Sequence, residues 1–210
     1  MKKVISIIIV MLIVIGLGVG IYLSINKNKV NDDSSEKNNN ATINDNGSIT
    51  NGKTLVVYYS AQSHTKEIAQ KIANNLKADI FEIVPKDIYT SEDLNWSNTK
   101  SRVSMEHNDE SLRNVELVTT KVDNWDSYDT VLIGYPIWWG IAAWPVNNFV
   151  KDNDFTGKTI IPFCTSASSS LGESAKLLED LTKTGNWKSG HRFSSSAIDS
   201  DIKSFTDSIK

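Results

Sequence analysis

Between Thr54 and Ile209, short apolar runs rich in β-branched and aromatic residues alternate with segments whose apolar residues recur at helical spacing. This alternation constrains the fold more than any other feature of the chain. Strands separated by helices bury their surfaces in a mainly parallel sheet covered on both faces. Thr54–Tyr59, Asp79–Val84, Thr130–Tyr135, Thr159–Cys164 and Arg192–Ala197 read as five strands, with Pro85 and Pro136 stopping the second and third. Ile68, Ala69, Ile72, Ala73 and Leu76 form one apolar helical stripe. Further helices follow Pro145 (Val146, Phe149, Val150 inward), span Glu173–Thr182 (Ala175, Leu178, Leu181 inward) and close the chain at Ile202, Phe205 and Ile209. Val115–Thr119 reads as a short extended piece. The expected architecture is a doubly wound, five-stranded parallel sheet in three α/β/α layers, with residues 53–210 forming one domain of ordinary size.

Two other regimes precede it. Val4 to Ile25 is a run of 22 residues without a charge, flanked by Lys2 and Lys3. As a helix it would reach about 33 Å, enough for a hydrocarbon core of roughly 30 Å. The alternative is a cleaved secretory signal, but the run exceeds the usual apolar stretch and no small-residue cleavage pattern follows it. Residues 1–25 are therefore expected to be a single-pass transmembrane signal anchor. Lys2, Lys3 and the terminal amine face Lys27 and Lys29 across the run, which favours an N-terminus inside and a domain outside the cell membrane. Residues 26–52 hold nine asparagines and little that could build a core. They are expected to be a disordered linker.

Charge and cysteine usage exclude several functions. Against 25 acidic residues stand 22 basic ones, for a net charge of −3, and residues 53–210 alone carry −4. That gives no basic footprint for a nucleic acid. Cys164 is the single cysteine, and His64, His107 and His191 lack ligand spacing, so neither an intramolecular disulfide nor a structural metal is expected.

In doubly wound folds ligands sit beyond the carboxyl ends of the strands, which directs attention to the loops 60–65, 85–114, 136–144 and 165–172. The first contains Ser60, Gln62, Ser63, His64 and Thr65 ahead of a helix. Helix N-termini favour anions, and the absence of a G-x-x-x-x-G-K-[ST] pattern suits a monophosphate held by neutral donors. An ordinary hydroxyl-capped helix is the competing reading. The third loop, Pro136-Ile137-Trp138-Trp139-Gly140 and onward to Trp144, offers Trp138 or Trp139 as a platform for a flat aromatic ligand, or else fills core; Trp144 reads as packing. The last, with Thr165, Ser166, Ala167, Ser168 and Ser170, suits close approach to a planar polar ring, or forms a surface turn. Arg102 and Glu106 are spaced i, i+4, as a surface pair or as a brace that orders 85–114 into a lid. Trp96 either closes that lid or anchors it, and anchoring is expected. His107 and His191 read as surface residues, and Cys164 as a small buried hydrophobe rather than a nucleophile.

Specific stretches carry a resemblance. Ser60-Ala-Gln-Ser-His-Thr65 is similar to a phosphate loop [ST]-x-T-G-x-T. Gly134-Tyr-Pro-Ile-Trp-Trp-Gly140 resembles a Y-P-x-W-x-G stretch, and Phe163-Cys-Thr-Ser-Ala-Ser-Ser-Ser-Leu-Gly172 an F-x-T-S-G-x-S-x-x-G loop. Tyr89 to Trp96, Ser101-Arg102 and Glu106 match the segment between the second and third strands. Through these motifs residues 53–209 resemble the flavodoxin family. The resemblance implies non-covalent FMN, with its phosphate on Ser60, Gln62, Ser63, His64 and Thr65. The isoalloxazine would lie between residues 136–140 and 165–170, under Trp138 or Trp139, with backbone groups at its edge. Gln62 replaces a Thr, Ser63 a Gly and Ala167 a Gly of the family pattern. The implied function is an electron-transfer flavoprotein exchanging electrons with a redox protein or a small-molecule donor or acceptor, with no catalytic side chain. A cofactor-free surface interaction module and an NAD(P)H-dependent quinone or small-molecule reductase are the alternatives.

Overall fold

A computed structural model of the chain describes residues 52–210. The expected anchor over residues 1–25 and the linker up to residue 51 lie outside the described residues. Among the described residues, no helix is long and apolar enough to cross a membrane.

The elements run β1 (Lys53–Tyr58), α1 (His64–Leu76), β2 (Asp79–Glu82), α2 (Arg102–Asn108), β3 (Tyr128–Trp138), β4 (Ile141–Ala142), α3 (Pro145–Asp152), β5 (Thr159–Ser166), α4 (Ser174–Thr182), β6 (Asn186–Trp187), β7 (His191–Ser194) and α5 (Asp199–Ser208). The sheet order is β2-β1-β3-β5-β6, with β7 also on β5, and every one of these pairings is parallel. β6 and β7 lie end to end along β5, opposite Thr159–Ile160 and Phe163–Ser166. The five expected strand positions are thus filled, the last by two short pieces. The expected final strand over 192–197 is shorter and earlier, because Ala197 N donates to Ser194 O at 3.0 Å and turns the chain toward α5.

Successive strand side chains point to opposite faces, and the core divides accordingly. Leu55, Val57, Val131, Ile133 and Tyr135 pack with Trp144, Val146 and Phe149 near α3 and with Leu178 of α4. Val56, Tyr58, Leu132, Ile161 and Phe163 pack with Ile68 and Ile72 of α1 and with Ile202 and Phe205 of α5. This is the three-layer arrangement that the sequence pattern demands.

Pro136 does not stop β3. It sits at the last parallel pairing, opposite Thr165, and its carbonyl accepts from Ala143 N at 3.0 Å. The strand then leaves the sheet as a hairpin, with Ile137 opposite Ala142 and Trp138 opposite Ile141. The two turn residues, Trp139 and Gly140, have φ of 46° and 82°. Positive φ at both central positions is the signature of a type I′ turn. Gly140 meets it freely, whereas Trp139 carries a left-handed cost of about 1–2 kcal/mol. β2 also ends earlier than expected, although Ile83 N still donates to Tyr58 O at 2.7 Å. The piece at 115–119 forms a single antiparallel bridge, Leu117 with Pro85.

Candidate functional site

The carboxyl ends of β1, β3 and β5 open on a cavity of about 480 Å³. Ser60, Gln62, His64 and Thr65 line it from the loop after β1. Pro136, Ile137, Trp138 and Trp139 line it from the β3 exit, and Thr165, Ser166 and Ala167 from the β5 exit. Ser63, Gly140, Ser168 and Ser170 lie on the same loops but outside this lining. Sequence reading missed Ala61, Leu94 and Ser195, which also line it, as does Trp96, for which an anchoring role was expected. Ser195 follows β7, a further strand exit, and Leu94 and Trp96 fall in a loop that the exit rule did mark.

In the first loop, Ser63 precedes α1 with φ 67° and makes no capping bond through its side chain. The plain hydroxyl-capped helix is therefore not what forms. Ser63, where the resembled pattern has a glycine, instead adopts a left-handed turn. Thr65 Oγ1 and Thr165 Oγ1 share a buried hydrogen bond of 2.8 Å, which ties the first loop to the β5 exit. Ser60 Oγ is buried without a hydrogen-bond partner among the described residues. Such a hydroxyl fits a ligand oxygen, since an unpaired buried polar group costs about 1–3 kcal/mol. Among the described residues no Lys, Arg, Asp or Glu lines the cavity, so a bound anion here would rest on hydroxyls, backbone N–H groups and the α1 dipole.

Trp138 is held by ring edges on several sides. Tyr59 lies 5.8 Å away at 90°, Tyr89 5.3 Å away at 69° and Trp144 4.8 Å away at 71°. Trp139 is 41% exposed and stacks on His107 at 4.4 Å and 10°. His107 is thus not a free surface residue: it supports the strained turn. Of the two indoles, Trp138 is the one positioned as a rigid platform.

Beneath Trp138, Glu106 is only 4% exposed. Its Oε2 accepts from Tyr89 OH at 2.6 Å and from Trp144 Nε1 at 2.7 Å, and its Oε1 from Arg102 Nε at 2.8 Å. The surface-pair reading of Arg102 and Glu106 is overturned, because burial and two aromatic donors make the carboxylate the hub of the segment between β2 and β3. Burial, then the bond to Glu106, pushes the Tyr89 phenol well above its ordinary pKa. Trp96 does not anchor this segment either, since its ring is 75% exposed at the cavity wall.

Arg192 Nη2 donates to the carbonyls of Ser166 at 2.8 Å and Ala167 at 3.2 Å, bracing the loop that leaves β5. Ala167 is not among the described residues with positive φ, so replacing a glycine there brings no left-handed strain. His191 packs against Phe193 and Phe205 rather than lying free on the surface, and burial pushes its imidazole pKa down. Cys164 is buried, and burial pushes its thiol up to about 12, consistent with a packing role. Among the described residues no group of three or more His, Cys, Asp or Glu could hold a metal ion.

A family model described as flavodoxin matches residues 53–209. Two solved structures, provisionally assigned as flavoproteins from Bacteroides eggerthii and Bacteroides uniformis, are 39% and 36% identical. They cover 76% and 75% of this chain and 98% and 99% of their own, each with a TM-score of 0.68. A flavoprotein from Lactobacillus acidophilus, in complex with FMN, is 22% identical over 67% of this chain and 93% of its own, with a TM-score of 0.52, a likeness of fold. No curated protein sequence matches the chain.

Proposed function

The chain belongs to the flavodoxin family, and from that membership we propose that it binds FMN non-covalently at the exits of β1, β3 and β5 and passes electrons through it. The observation that carries this reading is Ser60. Its hydroxyl is buried and, among the described residues, unpartnered on the wall of a cavity that also presents the Trp138 platform. Ser60, Gln62, Ser63, His64 and Thr65 hold the phosphate by neutral donors at the α1 N-terminus. Trp138 covers one face of the ring, and the backbones of 136–140 and 165–170 meet its edge. Bound FMN supplies one- and two-electron redox chemistry. The chain's own part is to bind, orient and exclude water, and its domain charge of −4 disfavours added electron density on the ring.

The carrier reading is preferred to an NAD(P)H-dependent reductase because, among the described residues, no Lys or Arg lines the cavity to meet a dinucleotide's phosphates. The partner is a redox protein or a small-molecule donor or acceptor. We further propose that residues 4–25 anchor the domain to the cell membrane, facing outward, on the strength of their uncharged length. Protease added to intact cells then digests the domain; digestion only after lysis overturns the orientation. For the function itself, the FMN-loaded full chain should take up electrons from dithionite anaerobically and return them to an external acceptor without losing its flavin. Flavin loss on reduction, or no return of electrons, overturns the carrier reading.

A further inference from the structure

Trp96 combines a fixed backbone with an unengaged ring. Trp96 N donates to Leu94 O at 2.9 Å, and Trp96 O accepts from the hydroxyl of buried Ser104 at 3.3 Å. Just upstream, the Asp93 carboxylate accepts from Thr90 N and Oγ1, both at 2.9 Å. The indole itself is 75% exposed, and neither its ring nor its N–H has a partner among the described residues. An indole buries a large apolar area when it finds a surface, and this one stands at the wall of the cavity that holds Trp138.

Of the other rings on the walls, His64 belongs to the loop after β1, at the end where the phosphate is proposed to sit. Trp138 is locked by three aromatic edges, Trp139 is stacked on His107, and the β5 exit lines the cavity with only Thr165, Ser166 and Ala167. Trp96 and Leu94 line the same cavity from the segment between β2 and β3, which makes Trp96 the unengaged indole within reach of a flat ring resting on Trp138.

We propose that Trp96 is the cover of the flavin face opposite Trp138: its indole closes on the bound flavin and shuts that face to planar hydride donors. This rests on the FMN reading and deepens it. A hydride donor must lay its ring on the flavin, whereas single electrons can pass at an edge, so the cover selects carrier behaviour over direct reduction by a nicotinamide.

The test uses the full chain in mild detergent, as wild type, Trp96→Ala and Trp96→Phe. FMN affinity is titrated, and the FMN-saturated proteins are mixed anaerobically with 1-benzyl-1,4-dihydronicotinamide. That donor gives one hydride to the flavin, which takes a proton from water, and leaves as the oxidised nicotinamide cation. Trp96→Ala should weaken FMN binding about tenfold, as the loss of one stacked ring does, and should accelerate hydride uptake several-fold. Trp96→Phe should recover most of both, while the urea midpoint of the FMN-free chain stays unchanged. A flavin-loaded wild type whose affinity or hydride uptake is the same in Trp96→Ala overturns the cover alone. A wild type that binds no FMN overturns the flavin reading and the cover with it.

Discussion

The Trp144 indole donates to the Glu106 carboxylate at 2.7 Å across 38 positions of the chain, and the same oxygen accepts from Tyr89 OH at 2.6 Å. One buried carboxylate thus joins the segment after β2 to the start of α3, and both donors present their rings to Trp138. Breaking a buried ion pair from one side strands its partners. Glu106→Gln should therefore cost about 3 kcal/mol of stability, seen as a lower urea midpoint at unchanged slope. An unshifted midpoint would show that the network contributes nothing net.

Ser63 bears a left-handed φ of 67° without a compensating side-chain bond. Ser63→Gly relieves a strain of about 1–2 kcal/mol and adds unfolded-state entropy worth about 0.5–1 kcal/mol. The FMN-free variant should gain up to about 1 kcal/mol, measured as a rise in thermal midpoint. A clear loss would mean that the Ser63 hydroxyl supports the loop.

Cys164 is buried and its thiol is held up at about 12, so thiolate is scarce near neutral pH. Incubation with iodoacetamide at pH 8 should leave the native chain unmodified by mass spectrometry, and urea should make it react. Rapid labelling of the native chain would place the thiol in a different environment.

His191 lies between Phe193 and Phe205, and burial holds its imidazole pKa below the ordinary value. Between the folded and unfolded pKa values the unfolded chain binds more protons, so stability rises with pH there. The His191 contribution is complete above about pH 6.5 and is lost as pH falls toward the folded value. Subtracting the profile of His191→Leu from that of wild type should leave a decline on acidification. A difference that is flat across this range would contradict it.

The sheet was legible because Val56, Val57, Leu132, Ile133, Ile160 and Ile161 sit in unbroken apolar runs, and strands buried on both faces need nothing else. The β3 hairpin was not. Pro136 is an ordinary stop signal, and only the pairing of Ile137 and Trp138 with Ala142 and Ile141 carries the strand past it. Glu106 was hidden for a related reason. Its i, i+4 spacing to Arg102 looks like a surface pair until Tyr89 and Trp144, distant in sequence, enclose it. The cavity loops were marked by position, since strand exits in such sheets gather ligands. Trp96 was misjudged because sequence does not say whether an isolated indole faces core or cavity.

The most direct test of the account is a titration of the purified full chain with FMN, followed by removal of free flavin. The account predicts a yellow protein holding one FMN per chain, with tryptophan emission quenched in wild type, and markedly weaker retention in Trp138→Ala. A wild-type chain that emerges colourless from excess FMN, or a Trp138→Ala variant that retains flavin as well as wild type, would contradict it.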